Sequence, residues 1–182
     1  MNYIKKIIQE SLPVLLLASV ITILGGIGLK TLEEHITQFL PFIIMLPALN
    51  NMVGDYSIVI VSKLTTHLYR EQGKKPELGF IKHLFKDTTT ALFFSTAYMI
   101  LLTLIISSIK HYPLTTASII TITAITSIVV ATMFIIAFLI AITFALYAYK
   151  HHEDPDDVLI PITTSLADLG SIIILIILLK TF

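Results

Sequence analysis

Five long stretches with almost no charged residues constrain the fold of this chain more than any other feature of its sequence. The first holds nineteen uncharged residues, the third and fifth about twenty-two, and the fourth thirty-eight. An α-helix needs about 20 apolar residues to cross a hydrocarbon core of about 30 Å. Charged residues separate the stretches, and only Asp55 and Asp168 interrupt them. The sequence therefore predicts membrane spans at 11–29, 36–62, 88–109, 114–149 and 158–179.

Composition agrees with a membrane-embedded chain. Of its 182 residues, 55% are hydrophobic and only 13% are charged, whereas a soluble domain carries about 25% charged residues. Because unpaired strand edges are excluded from lipid, the Ile- and Thr-rich stretches favour helices over strands. We expect an all-α, polytopic protein of the cell membrane, with residues 1–182 forming a single transmembrane domain in contact with the lipid bilayer.

The sequence also excludes several classes of function. Twelve Lys and Arg balance twelve Asp and Glu, so net charge gives no reason to expect nucleic acid as a partner. Without Cys there are no disulfides, thiolate metal sites or Cys nucleophiles. No nucleophile–base pair stands out within the spans, and we do not expect an enzyme.

The fourth stretch is longer than one crossing requires. As a single helix, 38 residues would extend about 57 Å. No Gly, Pro, Asn or Asp occurs between Leu114 and Tyr149 to form a turn. We predict one helix that extends past the membrane; two short helices joined by a hidden turn are the alternative.

Lys and Arg predict the orientation, because cytoplasmic segments carry an excess of both. With five spans and the N-terminus inside, nine of these residues lie in the cytoplasm and three outside. The C-terminus is then outside. The cytoplasmic set is Lys5, Lys6, Lys63, Arg70, Lys74, Lys75, Lys82, Lys86 and Lys150; the outer set is Lys30, Lys110 and Lys180.

The second span contains residues that a plain membrane helix avoids. Prolines remove backbone donors, and Asn, Gly and Asp are poor helix formers. We predict a broken second helix, of the kind that lines cavities and builds ion sites in transporters. The alternative is a kinked helix that ends early, with Asp55 at the cytoplasmic interface. The residues concerned are Pro41, Pro47, Asn50, Asn51, Gly54 and Asp55.

Asp168 is the strongest candidate for a cation or proton site. It lies in the middle of the last span, where a charge costs roughly 2.5–3.5 kcal/mol on insertion scales. Thr164 and Ser165 fall on the same helical face, at spacings of four and three residues. The alternative is a protonated Asp that only bonds a neighbouring helix.

A cluster of carboxylates precedes that span. Glu153, Asp154, Asp156 and Asp157 lie within five residues. Carboxylate oxygens suit hard cations such as Mg²⁺ and Ca²⁺, so the cluster would concentrate divalent cations at the mouth of a path. It could equally be an acidic first turn that favours the helix dipole.

Two separated motifs resemble the MgtE and solute-carrier-41 magnesium transporters. Residues 154–168 read Asp-Pro-Asp-Asp-Val-Leu-Ile-Pro-Ile-Thr-Thr-Ser-Leu-Ala-Asp, which is similar to the final-helix signature of that family. The second span resembles the family's pattern of Pro-Ala-Leu, Gly-Asn and Ser-Arg-Leu-Ser-Thr. It reads Leu-Pro-Ala-Leu at 46–49, Gly-Asp at 54–55 and Ser-Lys-Leu-Thr-Thr at 62–66. The start of the first helix, Glu-Ser-Leu-Pro at 10–13, is also similar.

The resemblance implies a homodimer of five-helix protomers, with the second and fifth helices of each lining a central cation path. Asp168 matches the pore aspartate, and Asp154 matches an acidic residue at the cytoplasmic end. Asp55 stands where the family usually has Asn, which adds a carboxylate near the path. The bacterial form also carries an N-terminal regulatory domain and CBS domains, which this sequence does not contain.

These patterns together predict transport of Mg²⁺ as the carried ion. The candidate ion-binding residues are Asp168, Thr164, Ser165, Asp55, Asn50, Asn51, Asp154 and Asp157. Two alternatives stay open: a carrier for another divalent cation coupled to H⁺ or Na⁺, and a membrane scaffold that transports nothing.

Overall fold

The computed structural model describes residues 3–33 and 40–181 of the chain, and these residues form five α-helices. All five helices are long and apolar enough to cross a membrane, so the prediction of an all-α, multi-pass membrane protein is confirmed. The helices are α1 Tyr3–Glu33, α2 Leu40–Arg70, α3 Leu78–Ile109, α4 Thr116–Lys150 and α5 Pro155–Thr181.

Several helices extend beyond the predicted spans. The third begins at Leu78, ten residues before the predicted start at 88, and the second continues to Arg70 instead of ending at 62. Charged residues mark where a helix leaves the hydrocarbon, but Lys, Glu and Arg are good helix formers. The helices therefore continue past the charges. Residues 36–39 of the predicted second span lie outside the described residues.

The predicted break in the second helix is wrong. This segment is one continuous α-helix from Leu40 to Arg70, and it does not end early at Asp55 either. Pro41 occupies the first turn, where the missing N–H has no intrahelical partner to lose. Pro47 removes one hydrogen bond of the ladder without ending the helix. The Asn and Gly residues cost less than about 1 kcal/mol each, while lipid penalises every unpaired backbone group.

The fourth segment is a single helix, as predicted. Thr115 caps its start: the Thr115 hydroxyl accepts from the backbone N–H of Ser118 at 3.2 Å, and the Ser118 hydroxyl accepts from the Thr115 N–H at 2.8 Å. This reciprocal pair satisfies two donors that a helix start otherwise leaves unpaired. The 35 residues of α4 span about 52 Å, which exceeds the thickness of the hydrocarbon core.

Helices that follow one another in the chain alternate in direction. α2 runs antiparallel to α3, because Tyr56 contacts Ser95 whereas Lys63, further along α2, contacts the earlier Asp87. It also runs antiparallel to α5, because Asn50 contacts Ser171 whereas Thr65 contacts the earlier Asp156. The connections 71–77 and 151–154 therefore lie at the same end of the molecule, which we call the Arg70 end. At that end the ring of Tyr149 occupies the space beside Gly73, which has a φ of +76° and no room for a Cβ atom.

The core forms where α2, α4 and α5 pack against one another. Most of its fully buried side chains are apolar, and α3 covers α2 and α4 from outside. α1 is peripheral: among the described helices it contacts only α5, and only 11% of the residues of Ser11–Gly28 are buried. The central side chains include Leu49, Ile60, Leu64, Leu68, Ile125, Val129 and Leu175.

Candidate functional site

α2 and α5 lie side by side, with polar contacts at two levels and a close apolar approach between them. The Ser171 hydroxyl donates to the side-chain oxygen of Asn50; Ser171 is buried and Asn50 is half-buried. Gly54 lies opposite Thr164, whose Cγ2 would be 3.5 Å from a Cβ at the glycine position. Near the Arg70 end, Thr65 Oγ1 donates to Asp156 Oδ1 at 2.6 Å.

Asp168 lies on the wall of an open pocket of about 630 Å³. α1 and α5 form most of the pocket, and α2 contributes one residue. The hydroxyl of Thr22 donates to Asp168 Oδ2 at 3.4 Å. The remaining lining residues are Leu15, Ala18, Ser19, Ile23, Ile58, Ile160, Pro161, Thr164 and Ser165.

Thr164 and Ser165 line the same pocket, as their spacing from Asp168 predicts. Both hydroxyls donate to the backbone of the preceding turn: Thr164 to the Ile160 carbonyl at 2.8 Å and Ser165 to the Pro161 carbonyl at 2.8 Å. Because their protons are engaged, the two oxygens can present only lone pairs to a ligand. This arrangement favours a cation or the hydrogens of its water shell.

Thr22 is a pocket residue that sequence reasoning missed. It lies on α1, and nothing in the sequence states which face of the first helix meets the fifth. The available signal was the spacing of Ser19 and Thr22 with Ala18 and Gly25, which places small and polar residues on one side of an otherwise apolar helix.

Asn51 and Asp55 do not join Asp168 within one chain. They line a second pocket of about 440 Å³ between α2 and α3, where the Tyr56 and Ser95 hydroxyls are 2.7 Å apart. A helix turns about 100° per residue. Asn50 therefore contacts α5 while its neighbour Asn51, together with Asp55 four residues on, is directed towards α3.

The acidic cluster at the start of α5 is partly structural. Asp154 Oδ1 accepts from the backbone N–H of Asp156 at 3.0 Å, which is the bond of a helix N-cap. Pro155 occupies the first helical position, where proline is favoured. Asp157 lies in the first turn and is half-buried. Among the side chains that the structure describes, no three Asp, Glu or His come together as a metal site.

The pocket beside Asp168 is large enough for a hydrated ion. Mg²⁺ prefers six oxygen ligands and keeps several waters, and six waters occupy about 180 Å³ at ~30 Å³ each. One carboxylate with two hydroxyl oxygens and a pocket of about 630 Å³ can hold such an ion through its water shell. The same groups in a single chain are too few to replace that shell.

Comparison with known proteins identifies the chain at the level of a family. A family model described as MgtE, divalent cation transporter, matches residues 46–178. The match includes most of α2, all of α3 and α4, and α5 as far as Leu178, and so contains every candidate ion-binding residue named above. No curated protein and no solved structure matches the chain.

Proposed function

Because this chain belongs to the MgtE family of divalent cation transporters, we propose that it moves Mg²⁺ across the cell membrane between two copies of itself. α2 and α5 of each protomer line the path. The observation that carries the proposal is Asp168, a carboxylate within a membrane-spanning helix on the wall of a pocket that opens at the side of the protomer.

A second copy of the chain supplies what one protomer lacks. A carboxylate facing lipid at mid-span costs roughly 2.5–3.5 kcal/mol, and a partner placed over the open pocket removes that exposure. It also brings a second Asp168 towards the first. The two carboxylates repel each other when no cation is present, and a divalent cation between them offsets the repulsion.

The ion is held through its water shell. Mg²⁺ dehydrates reluctantly, so its waters donate hydrogen bonds to Asp168 and to the hydroxyl oxygens of Thr164 and Ser165. These hydroxyls accept because their own protons are bound to backbone carbonyls. Contact through water is weaker than direct coordination, and conduction requires binding that also permits release.

The remaining candidate residues take secondary roles. Asn50 positions α5 through its bond with Ser171. Asn51 and Asp55 would meet a cation only in the α2–α3 pocket. In the proposed orientation, with the N-terminus inside and the C-terminus outside, the Arg70 end faces the cytoplasm. Asp154 and Asp157 then raise the local concentration of cations at the mouth of the path.

Mg²⁺ flux into proteoliposomes tests the proposal. Asp168→Asn keeps the size of the side chain and an acceptor for Thr22, but removes the charge. Interactions with a charged partner contribute about 1.5–3 kcal/mol, and 1.4 kcal/mol corresponds to tenfold. We therefore expect flux to fall about tenfold or more, with no loss of thermal stability.

Glu77→Gln is the matched control, because Glu77 is exposed and its side chain makes no capping bond to α3. This variant should transport as the unaltered protein does. Normal Mg²⁺ flux through Asp168→Asn would contradict the site. Flux of another divalent cation that requires an imposed H⁺ or Na⁺ gradient, with none for Mg²⁺, would contradict the assigned ion.

A further inference from the structure

A separate pocket of about 270 Å³ lies between α2 and α3 near the Arg70 end. Its walls combine two cationic side chains, two hydroxyls and two stacked rings. The residues are Ser62, Lys63, Thr66, His67, Arg70 and Phe80. None of them belongs to the pocket of Asp168, and the transport proposal uses none of them.

The Lys and Arg side chains of this pocket have more N–H donors than the neighbouring carboxylates of the protein occupy. Lys63 Nζ lies 3.8 Å from Asp87, and this carboxylate has a closer contact with His83 at 3.1 Å. Arg70 engages Glu71 through Nε alone, at 3.1 Å, and a guanidinium has five N–H donors. Over residues 62–87, six Lys and Arg face three Asp and Glu.

His67 adds an unpaired polar atom. Its ring stacks on Phe80 with centroids 4.0 Å apart, and its Nδ1 is buried. Among the described side chains, this nitrogen is the one buried N or O atom without a hydrogen-bond partner. Buried polar atoms are nearly always paired, and a turn of the His67 ring would bring this unpaired nitrogen to a ligand in the pocket.

From these groups we infer that the pocket binds a phosphate group, carried by the headgroup of an anionic phospholipid. Arg and Lys are the residues that recognise phosphate oxygens, and basic pockets between membrane helices on the cytoplasmic side bind acidic headgroups. In the proposed orientation, Lys63 and Arg70, on the last turns of α2, face the headgroups of the cytoplasmic leaflet. Val59 is one turn closer to the membrane centre on the same face and is 42% exposed, which leaves room for an acyl chain.

Native mass spectrometry of the purified protein tests this site, with phosphatidylglycerol as the anionic probe and phosphatidylcholine as the comparison. We expect one phosphatidylglycerol retained per protomer in preference to phosphatidylcholine. The double variant Lys63→Gln/Arg70→Gln should weaken retention by roughly 25-fold, at about fivefold for each cation. His67→Phe keeps a ring to stack on Phe80 but removes both ring nitrogens, and it should also weaken retention.

The control is Lys74→Gln/Lys75→Gln, which removes the same charge from the neighbouring loop outside the pocket. It should retain the lipid. Equal losses in the two double variants would overturn the inference in favour of diffuse attraction to a basic surface. Binding of inorganic phosphate with no lipid retained would overturn the assignment to a headgroup, and thermal unfolding of each variant separates loss of the lipid from loss of the fold.

Discussion

At the scale of single residues, Asp154 combines a structural role with a proposed electrostatic one. Its carboxylate caps α5 by accepting from the Asp156 N–H at 3.0 Å. Asn is as good an N-cap as Asp, whereas Ala at this position costs about 1 kcal/mol. The two substitutions therefore separate the cap from the charge.

We predict that Asp154→Ala lowers the free energy of unfolding by about 1 kcal/mol, while Asp154→Asn leaves it within a few tenths. Both variants lose the same charge, so both should weaken apparent Mg²⁺ affinity equally at low ionic strength. High salt should restore the affinity of both variants to that of the unaltered protein, since the Debye length falls to about 3 Å at 1 M. Unfolding in detergent and flux at two salt concentrations measure the two effects. An affinity loss that persists at high salt would instead indicate direct coordination by Asp154.

The sequence located the residues of the Asp168 pocket on α5 but not their partners. A carboxylate in the middle of a 22-residue apolar run is exceptional wherever it occurs, and helical spacing links it to Thr164 and Ser165. The contact with Thr22 depends on which helix packs beside α5. This is a tertiary property, because α1 is apolar on nearly all sides.

At the scale of helices, the contact between α1 and α5 leaves room for at most a methyl group at Gly25. A Cβ at Gly25 would lie 3.4 Å from both the Cα atom of Leu169 and the Cδ1 atom of Ile172. Gly26 is its matched neighbour, exposed and with nothing within 4 Å of a Cβ. Thr22 is one turn before Gly25, so the same contact keeps Thr22 beside Asp168.

We predict that Gly25→Leu separates α1 from α5 and destabilises the protein by about 1–3 kcal/mol, the usual cost of overpacking. Gly26→Leu should be tolerated, because its side chain extends towards lipid. Thermal unfolding of both variants gives the stability difference, and Mg²⁺ flux should fall only in Gly25→Leu. Equal stability of the two variants would mean that α1 does not pack closely against α5.

The second helix illustrates why a list of helix-breaking residues did not predict its shape. Pro41, Pro47 and Gly54 are unfavourable one by one, yet α2 is continuous. In lipid each backbone group must be satisfied within the helix, and this requirement outweighs propensities of about 1 kcal/mol. The charged residues were a better guide, because each of the five helices contains one of the apolar runs that these residues delimit.

At the scale of the whole molecule, the proposed ion site requires residues from two protomers. Asp168 lies on a pocket that opens sideways, and Asp55 lies in a different groove. Ser171 is fully buried against Asn50 within the same chain and so cannot belong to an interface between copies. Ile58 and Thr164 line the open pocket and are the residues that a partner would approach. The homodimer itself stays a prediction, which the family resemblance implies.

We predict that Ile58→Cys forms a disulfide-linked dimer on oxidation in membranes, because a partner over the Asp168 pocket brings the two copies of this residue together. The protein has no Cys of its own, so each introduced thiol reports one position. Ile136→Cys is the control: Ile136 lies on α4 outside the pocket and has the same exposure as Ile58, 38%. A disulfide requires Cα atoms within about 7 Å, so random collisions in the bilayer should affect both variants equally and weakly.

A dimer band on non-reducing gels from Ile58→Cys alone is the expected result. Efficient crosslinking through Ile136→Cys but not Ile58→Cys would place the interface on α4 and remove Asp168 from the proposed path.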